Sequence, residues 1–316
     1  MHIVEVGPRD GLQNETAPVP TAAKIAFIDA LSHSGVGEIE VSAFVSPRWV
    51  PQLSDAAEVF DGISRRQGVI YSALVPNMKG LEQALAARVD KVAVFTAASE
   101  TFNRKNTNTS ISGSIRRFQP VVRAARDSGL PVRGYISTAF WCAFEGKIAP
   151  QAVLDVVMRL LDIGIDEIAI SDTIGKATPE EVRQLLDLLL PHLPVERTAV
   201  HVHDTYGRGV ENVLAAWLAG IGTIDASAGG LGGCPFAPGA SGNVATGDVV
   251  AALEAQGVDT GVDAGQLEQA LQHLTPFLQD DHRTLPRDGS PVCAACQFST
   301  GEVCCRRYRN NAQPRR

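Results

Sequence analysis

Residues 167–203, EIAISDTIGKATPEEVRQLLDLLLPHLPVERTAVHVH, form the stretch that best indicates the fold. A short β-rich run, Glu167–Ser171, is followed by an amphipathic segment, Pro179–Leu190, and by a second β-rich run, Thr198–His203. Thr178 precedes a proline and two glutamates, which are the residue types that begin a helix. The stretch therefore predicts a strand–helix–strand unit of a parallel sheet.

The same alternation of short β-rich runs and longer amphipathic segments continues along the chain. The predicted strands are His2–Val6, Glu38–Ser42, Val69–Leu74, Lys91–Phe95, Val132–Ser137, Glu167–Ser171, Thr198–His203 and Ile224–Ser227. The clearest predicted helices are Thr21–Ser34, Ile111–Ser128, Pro150–Ile163, Pro179–Leu190 and Gly209–Ala219. Eight strands that are each followed by a crossover predict an α/β fold, a (β/α)8 TIM barrel.

A further amphipathic segment, Ala264–Leu278, predicts an extra C-terminal helix that covers the barrel. We therefore expect one domain over residues 1–280 and a mobile, Cys/Arg-rich tail over residues 281–316. Four tail cysteines have partial zinc-site spacing, which leaves a metal site or a redox role open beside an uncommitted tail. These cysteines are Cys293, Cys296, Cys304 and Cys305.

The composition restricts the class of protein. Of the 316 residues, 45% are apolar and 20% are charged, and the formal net charge is −7. This balance permits a sizeable core, and an acidic chain is not suited to coat nucleic acid. No apolar run reaches the length of about 18 residues that a membrane span needs. The first predicted strand begins beside Met1, so we expect no targeting peptide and a cytoplasmic protein, and from barrel enzymes in general a homodimer.

The side chains best suited to chemistry lie where predicted strands end, which is the active-site rim of a barrel. They are Arg9 and Asp10 after the first strand, Glu40 in the second, Asp172 after the sixth, and His201 and His203 at the end of the seventh. We expect these side chains to converge at one mouth of the barrel.

The tripeptide His201-Val202-His203 is the sharpest of these features. Side chains of a strand alternate between its faces, so both imidazoles point to one side and Val202 points to the other. Two histidines with a nearby carboxylate form a divalent-cation site with open positions, and Asp10 can supply the carboxylate and Asn243 an amide oxygen. These ligands suit Mg²⁺ or Mn²⁺, although Zn²⁺ or Fe²⁺ also fits. The alternative is that the histidines only form hydrogen bonds inside the barrel.

Arg9 is a positively charged fork beside the predicted ligand Asp10. It can hold a carboxylate or an enolate-like oxygen as negative charge develops. The alternative is a structural ion pair with Glu40 or Asp172. Both interpretations can hold at once, because a paired arginine can also bind a ligand.

Residues 229–243, GGLGGCPFAPGASGN, form a glycine-rich loop after the eighth predicted strand. Glycines permit unusual backbone angles and close approach to a ligand, and such a loop can act as a gate. It lacks the Lys-Ser/Thr ending of a phosphate-binding loop. Cys234 within it can transfer a proton if its pKa is tuned, or it is an inert small side chain.

Several segments together resemble the hydroxymethylglutaryl-CoA lyase family. They are residues 4–15 (VEVGPRDGLQNE), 44–47 (FVSP), 172–175 (DTIG), 201–207 (HVHDTYG) and the glycine-rich loop with Cys234. The resemblance covers roughly residues 2–265. The opening segment alone is shared in looser form with isopropylmalate synthase-like barrels, but together with the cysteine loop it is highly specific.

The resemblance implies a site and a reaction. Asp10, His201, His203 and Asn243 match the metal ligands of the family, which implies Mg²⁺ or Mn²⁺ as the cofactor. Arg9 matches the arginine that stabilises an enolate, Cys234 a cysteine near the reacting centre, Glu40 and Asp172 acidic residues of the site, and Gln13 and Asn106 polar positions near the substrate. The implied reaction is cleavage of 3-hydroxy-3-methylglutaryl-CoA to acetyl-CoA and acetoacetate, which is a step of leucine degradation and ketone-body formation.

The sequence also departs from the family pattern. Ala43 stands at a usual serine, and Trp141-Cys142-Ala143 replaces the usual Gly-Cys-Pro. A bulky Trp141 near the rim can reshape the acyl pocket, which leaves open a glutaryl-CoA with a longer 3-substituent. A condensing enzyme that uses a 2-oxo acid and a barrel that binds without turnover are further alternatives. The short sequence after the barrel disfavours the first, and the full set of site residues disfavours the second.

Overall fold

The computed structural model describes residues 1–13, 15, 17–233 and 242–278. The barrel strands are His2–Glu5 (β1), Glu38–Ala43 (β2), Ile70–Leu74 (β3), Lys91–Ala97 (β4), Val132–Ser137 (β5), Glu167–Asp172 (β8), Thr198–Val202 (β9) and Thr223–Ala226 (β10). An antiparallel hairpin of Trp141–Cys142 (β6) and Gly146–Lys147 (β7) follows β5. The barrel strands pair in the order β1-β10-β9-β8-β5-β4-β3-β2, and β2 returns to β1. The predicted (β/α)8 fold is confirmed.

Helices connect the barrel strands. They are Thr21–Leu31 (α1), Ala56–Gly62 (α2), Met78–Ala86 (α3), Glu100–Thr107 (α4), Ile111–Asp127 (α5), Pro150–Asp162 (α6), Pro179–Leu189 (α7), Gly209–Leu218 (α8), Thr246–Glu254 (α9) and Ala264–Gln272 (α10). The sequence analysis did not delimit α2, α3 or α4. These helices are short, and α4 buries only Phe102 and Asn103, so its apolar periodicity is too weak to reveal it.

Helix α7 begins as its sequence predicts. The hydroxyl of Thr178 accepts a hydrogen bond from the backbone N–H of Glu181, and the Glu181 carboxylate accepts one in return from the backbone N–H of Thr178. Such a cap stabilises a helix by about 1 kcal/mol. Val182, Leu185, Leu186 and Leu189 recur at helical spacing and are all buried. Each contributes about 1.5–3 kcal/mol by its removal from water, so this face attaches α7 to the barrel.

The predicted cover helix is shorter than its amphipathic segment. Helix α10 ends at Gln272, and a 3₁₀ turn, Thr275–Phe277, follows. The cause is Pro276, which has no N–H to donate and disfavours a helical conformation in the residue before it. The helix packs against α1 and α9 and buries Leu267 and Leu271. It therefore covers the seam where the first and last crossovers meet.

Charged side chains fill the interior of the barrel from the amino ends of its strands. Nζ of Lys91 lies 2.9 Å from Oε2 of Glu38 and 3.1 Å from Oε1 of Glu167. Arg133 lies 2.8 Å from the same Glu167 carboxylate through Nε and 2.7 Å from Asp225 through Nη2. The alternating residues of these strands, such as Ile39, Val92 and Ile168, pack in the hydrophobic layer under the helices. The interior is therefore a buried ion-pair network that leads towards the carboxyl ends of the strands.

Among the described residues, no helix combines the length and the apolar character that crossing a bilayer requires. The predicted tail over residues 281–316, with its four cysteines, lies outside the described residues. The same is true of Cys234.

Candidate metal centre and active site

The turn after β1 carries Arg9 and Asp10 at the carboxyl end of the barrel. It is a single π-helical turn, Gly7–Gly11, in which the carbonyl oxygen of Val6 accepts hydrogen bonds of 2.8–3.2 Å from three successive backbone N–H groups. Glycine is needed at the end of the turn because a Cβ there would lie 2.9 Å from Cβ of Leu231. The close approach brings the turn against the start of the glycine-rich loop.

The two predicted histidine ligands lie on one face at the end of β9. The ring centroids of His201 and His203 are 5.3 Å apart, whereas Val202 packs in the hydrophobic core. Nε2 of His201 is 3.9 Å, and Nε2 of His203 is 4.0 Å, from Oδ2 of Asp10. One potential ligand atom from each of the three residues lies within 4.8 Å of the others. The predicted convergence of these three side chains is therefore found.

This spacing and this donor set fit a divalent cation. Ligand atoms about 2.0–2.2 Å from a shared cation lie about 3–4 Å from one another. The distances of 3.9 and 4.0 Å are in that range. One carboxylate and two imidazoles leave coordination positions for a substrate, as in catalytic rather than purely structural sites.

Asn243 adjoins the three residues. Its Nδ2 donates to Oδ2 of Asp10 at 2.9 Å and to the carbonyl oxygen of Leu231 at 3.0 Å, and its backbone forms a bridge with His203. The amide nitrogen therefore faces Asp10 in this structure, whereas a metal ligand would use Oδ1. A half-turn of the amide exchanges these two atoms, which are interchangeable in shape.

Arg9 is held by two carboxylates. Its Nε donates to Oε2 of Glu40 at 2.6 Å, and its Nη1 donates to Oδ1 of Asp10. Its guanidinium carbon lies 5.5 Å from the ring centroid of Tyr135, whose hydroxyl donates to the same Glu40 oxygen at 3.3 Å. The structural pair with Glu40 is thus present, and Arg9 lies beside the candidate metal centre as well. Oε1 of Glu40 is buried and has no hydrogen-bond partner among the described residues, which is expected where a ligand supplies the partner.

Burial and neighbouring charges set the protonation states of the site. Burial alone would raise the pKa of Asp10, but Arg9 above all, with His201 and His203, holds it well below its usual value. Burial lowers the pKa of His203 to about 4, so this imidazole is neutral at pH 7. An ionised carboxylate and a neutral imidazole are the states that metal binding requires. Burial raises the pKa of Glu40 in spite of the opposing effect of Arg9.

A family model described as HMGL-like matches residues 1–274. The chain belongs to this family.

Relatives and solved structures agree with that membership. This HMGL-like protein is 50% identical over 268 residues to the rat protein named 3-hydroxy-3-methylglutaryl-CoA lyase, cytoplasmic, a match that covers 85% of this chain and 78% of the relative. It is 48% identical over 278 residues to a Pseudomonas aeruginosa protein named 3-hydroxy-3-isohexenylglutaryl-CoA/hydroxy-methylglutaryl-CoA lyase. This match covers 88% of this chain and 93% of the relative. The crystal structure of an HMG-CoA lyase from Brucella melitensis superposes with a TM-score of 0.86 at 49% identity, over 88% of this chain and 99% of that one. The predicted family is confirmed.

Three predicted site residues of the HMGL-like protein, Asp172, Gln13 and Asn106, lie outside the candidate metal centre. Asp172 ends β8, and its carboxylate accepts hydrogen bonds from the backbone N–H groups of Lys176 and Ala177 at 3.2 and 2.9 Å. These bonds fix the loop after β8, and burial raises the pKa of Asp172 to about 7. Gln13 is half-buried just after the Arg9–Asp10 turn, and Asn106 is exposed on α4.

The sequence analysis missed three residues that hold the site from inside the barrel. Asp225, Arg133 and Tyr135 are buried, and each contacts another of the three or a residue of the candidate metal centre. The sequence does mark Asp225, because it is the one acidic residue of the short strand β10 and lies at an inward position. The register of β10 pairs Asp225 with His201 on β9. The predicted barrel makes these two strands neighbours, but their register could not be specified from the sequence.

Proposed function

We propose that this protein cleaves the C2–C3 bond of 3-hydroxy-3-methylglutaryl-CoA to acetyl-CoA and acetoacetate. The main support for this proposal is that Asp10, His201 and His203 converge beside Arg9 at the mouth of the barrel. In this reaction the tertiary hydroxyl loses its proton and becomes the ketone of acetoacetate. The electron pair of the broken bond passes to a thioester enolate, which takes up a proton at C2 to become acetyl-CoA.

We assign Asp10, His201, His203 and Asn243 as the ligands of Mg²⁺ or Mn²⁺. A cation held by these residues would supply Lewis acidity that makes the hydroxyl of the substrate more acidic. The chain contributes a preformed, buried set of ligands, and Asp10 accepts the hydroxyl proton through a lone pair that the cation would not use.

Arg9 stabilises the negative charge that develops on the thioester oxygen. Its guanidinium is fixed by Glu40 and Asp10 and packed on Tyr135, so it need not reorganise during the reaction. Oε1 of Glu40 has no hydrogen-bond partner among the described residues, so it can accept a hydrogen bond from a polar group of the substrate.

The remaining assignments follow the family pattern. We propose Cys234 as the donor of the proton to C2, because the proposed cation and the hydrogen bond to Asp225 occupy both ring nitrogens of His201. Gln13 and Asn106 contact the acyl-CoA, and Asp172 acts by holding the loop after β8, because its carboxylate already accepts two backbone N–H groups of that loop.

The test is an assay of the purified full chain with 3-hydroxy-3-methylglutaryl-CoA and Mg²⁺ or Mn²⁺. Acetoacetate and free thiol are measured separately, because a thioesterase releases only the thiol. Equal amounts of acetoacetate and acetyl-CoA are expected. Release of thiol without acetoacetate, or no turnover with either metal, would overturn the proposal.

A 3-substituted glutaryl-CoA with a longer branch is a second candidate substrate. It is favoured by the Pseudomonas aeruginosa relative, whose name includes the isohexenyl compound. Trp141, which replaces a usual glycine, lies under Nζ of Lys176 at 4.0 Å from the ring centroid and donates to Glu181 at 3.3 Å. Assays with methyl and isohexenyl thioesters, on the parent and on Trp141→Gly, decide whether this side chain sets the preference. If the ratio of kcat/KM for the methyl thioester to kcat/KM for the isohexenyl thioester is the same in both proteins, Trp141 lies outside the acyl pocket.

We also propose that the enzyme acts in the cytoplasm as a homodimer, in leucine degradation and ketone-body formation, with residues 1–280 as the catalytic domain. A cytoplasmic form exists among its relatives. Sedimentation should give twice the chain mass of 33.6 kDa. A chain truncated after residue 280 should keep its fold and its activity if the tail lies outside the catalytic domain.

A further inference from the structure

Asp225 connects a predicted metal ligand to the ion-pair network inside the barrel. Its Oδ2 lies 3.1 Å from Nδ1 of His201, and its Oδ1 accepts a hydrogen bond of 2.7 Å from Nη2 of Arg133. The contact is built into the sheet, because Asp225 and His201 are register partners on the adjacent strands β10 and β9. All three side chains are buried, so neither bond competes with bulk water.

The carboxylate of Asp225 acts as an acceptor. Its Oδ1 lies 2.7 Å from Nη2 of Arg133, and a guanidinium at this distance favours the ionised form of the carboxyl. An ionised carboxylate has no proton to donate, so the hydrogen between the two residues belongs to Nδ1 of His201. The lone pair of that imidazole is then on Nε2, which is the nitrogen that faces Asp10.

The second histidine lacks such a partner. Nδ1 of His203 is buried and has no hydrogen-bond partner among the described residues. The edge of the His201 ring also packs on Tyr135, with centroids 5.8 Å apart. His201 is therefore restrained on its distal nitrogen and on its ring, whereas no hydrogen bond from the described residues restrains the distal nitrogen of His203.

We propose that Asp225 is a positioning residue that fixes the tautomer and the ring orientation of His201 and thereby sets the metal affinity of the site. Arg133 in turn holds Asp225, so the restraint extends from the barrel interior to the mouth. A carboxylate behind a histidine ligand raises the basicity of the ligand, and loss of such a partner typically weakens metal binding 10–100-fold. This inference rests on the proposed metal site.

The test compares Asp225→Asn with Glu38→Gln in the full chain. Both substitutions convert a buried, ion-paired carboxylate of the barrel interior to an amide, but Glu38 pairs with Lys91 and makes no contact with His201. Mn²⁺ affinity is measured by the electron paramagnetic resonance signal of free Mn²⁺, and folding by thermal unfolding without metal. Asp225→Asn should weaken Mn²⁺ binding 10–100-fold, whereas Glu38→Gln should bind as the parent does. Equal Mn²⁺ affinity in the parent and Asp225→Asn, or equal weakening in both variants, would overturn the inference.

A second measurement does not depend on metal or on folding losses in the variant. Nitrogen-15 NMR of the imidazoles in the metal-free parent, assigned with His201→Gln, reports which nitrogen of His201 carries the proton. A proton on Nδ1 is expected, and a proton on Nε2 would contradict the positioning role. If the parent binds no Mn²⁺ but has the Nδ1–H tautomer, the proposed metal site fails while the hydrogen bond to Asp225 stands.

Discussion

Oδ2 of Asp10 accepts a hydrogen bond of 2.9 Å from Nδ2 of Asn243, although 233 positions separate the two residues in the chain. The contact exists because the first barrel strand pairs with the last, so the loops after these strands meet. Backbone bonds of the same region, such as that from Val244 N–H to the Val202 carbonyl at 3.1 Å, attach Asn243 to the histidine strand as well. The turn after β1, the end of β9 and the loop after β10 therefore bring the proposed ligands to one point.

Replacement of His201 by alanine should remove a ligand without removing the barrel. We expect kcat/KM to fall by at least the order of 10²–10³ that loss of one transition-state contact costs, together with a loss of Mn²⁺ affinity. The adjacent Val202→Ala is the control, because its side chain faces the hydrophobic core. It should lower the melting temperature and leave Mn²⁺ affinity unchanged. A His201→Ala enzyme as fast as the parent would show that the metal ligands are assigned wrongly.

Removal of divalent cations should abolish activity. We expect exhaustive treatment with EDTA to give an inactive but folded protein and Mn²⁺ or Mg²⁺ to restore turnover. A ligand at 100 times its Kd stabilises the folded state by about 2.7 kcal/mol, so the melting temperature should rise when metal is returned. Full activity after chelation, with metal content checked by elemental analysis, would exclude the metal role.

Substitution of Arg9 by lysine should separate charge from shape. Lysine keeps the positive charge but cannot form the fork that contacts both Glu40 and Asp10. We expect kcat to fall by on the order of 10²–10³ with a smaller change in KM, because the missing contact acts on charge that develops during the reaction. Arg183→Lys, at an exposed ion pair with Glu180 on α7, is the matched control and should be neutral in both constants. A loss confined to KM would mean that Arg9 only binds the substrate.

The buried carboxyl of Glu5 should make stability depend on pH. It accepts hydrogen bonds from Gly7, Ala228 and Thr246, yet burial raises its pKa from 4.5 to about 7. The folded state therefore holds a proton that the unfolded state releases. This proton stabilises the folded state fully below pH 4.5. The free energy of unfolding then falls by on the order of 3 kcal/mol as the pH rises through 7.

Glu5→Gln carries no charge at any pH, so its melting temperature relative to the parent should rise between pH 5 and pH 8. The exposed Glu58→Gln on α2 is the control and should track the parent. The comparison uses chelated protein, so that metal affinity does not contribute. A difference between Glu5→Gln and the parent that is constant over this range would contradict the shift.

Much of this architecture could be predicted from the sequence. The β-rich runs located all eight barrel strands to within one or two residues, because buried parallel strands have a strong apolar signal. The spacing of His201 and His203 predicted their shared face, and Asp10 was assigned to the same centre because strand one neighbours strand eight in any closed barrel. Its position in the second strand made Glu40 a candidate, and the resemblance to the family then implied that an acidic residue is needed there.

Other features needed three-dimensional placement. Asp225 is a lone acid in a short strand, and its importance depends on register with His201. Whether Arg9 would pair with Glu40 or with Asp172 also could not be decided, since both acids follow the same pattern of strand and rim. The structure separates them, because Asp172 accepts N–H groups of its own loop. Helix α4 was missed because it has too few buried apolar residues to show a period.

The ion pairs inside the barrel have a consequence for protein engineering. Removing buried charges from water is costly, and apolar replacements of buried ion pairs in other proteins have left stability unchanged or raised it. Replacement of Arg133 and Asp225 by well-packed aliphatic residues would therefore keep or raise the melting temperature. It would also remove the hydrogen bond that orients His201. Substitutions meant to raise the thermal stability of this enzyme should therefore be made in the outer helices. The ion-pair network inside the barrel should be left unchanged.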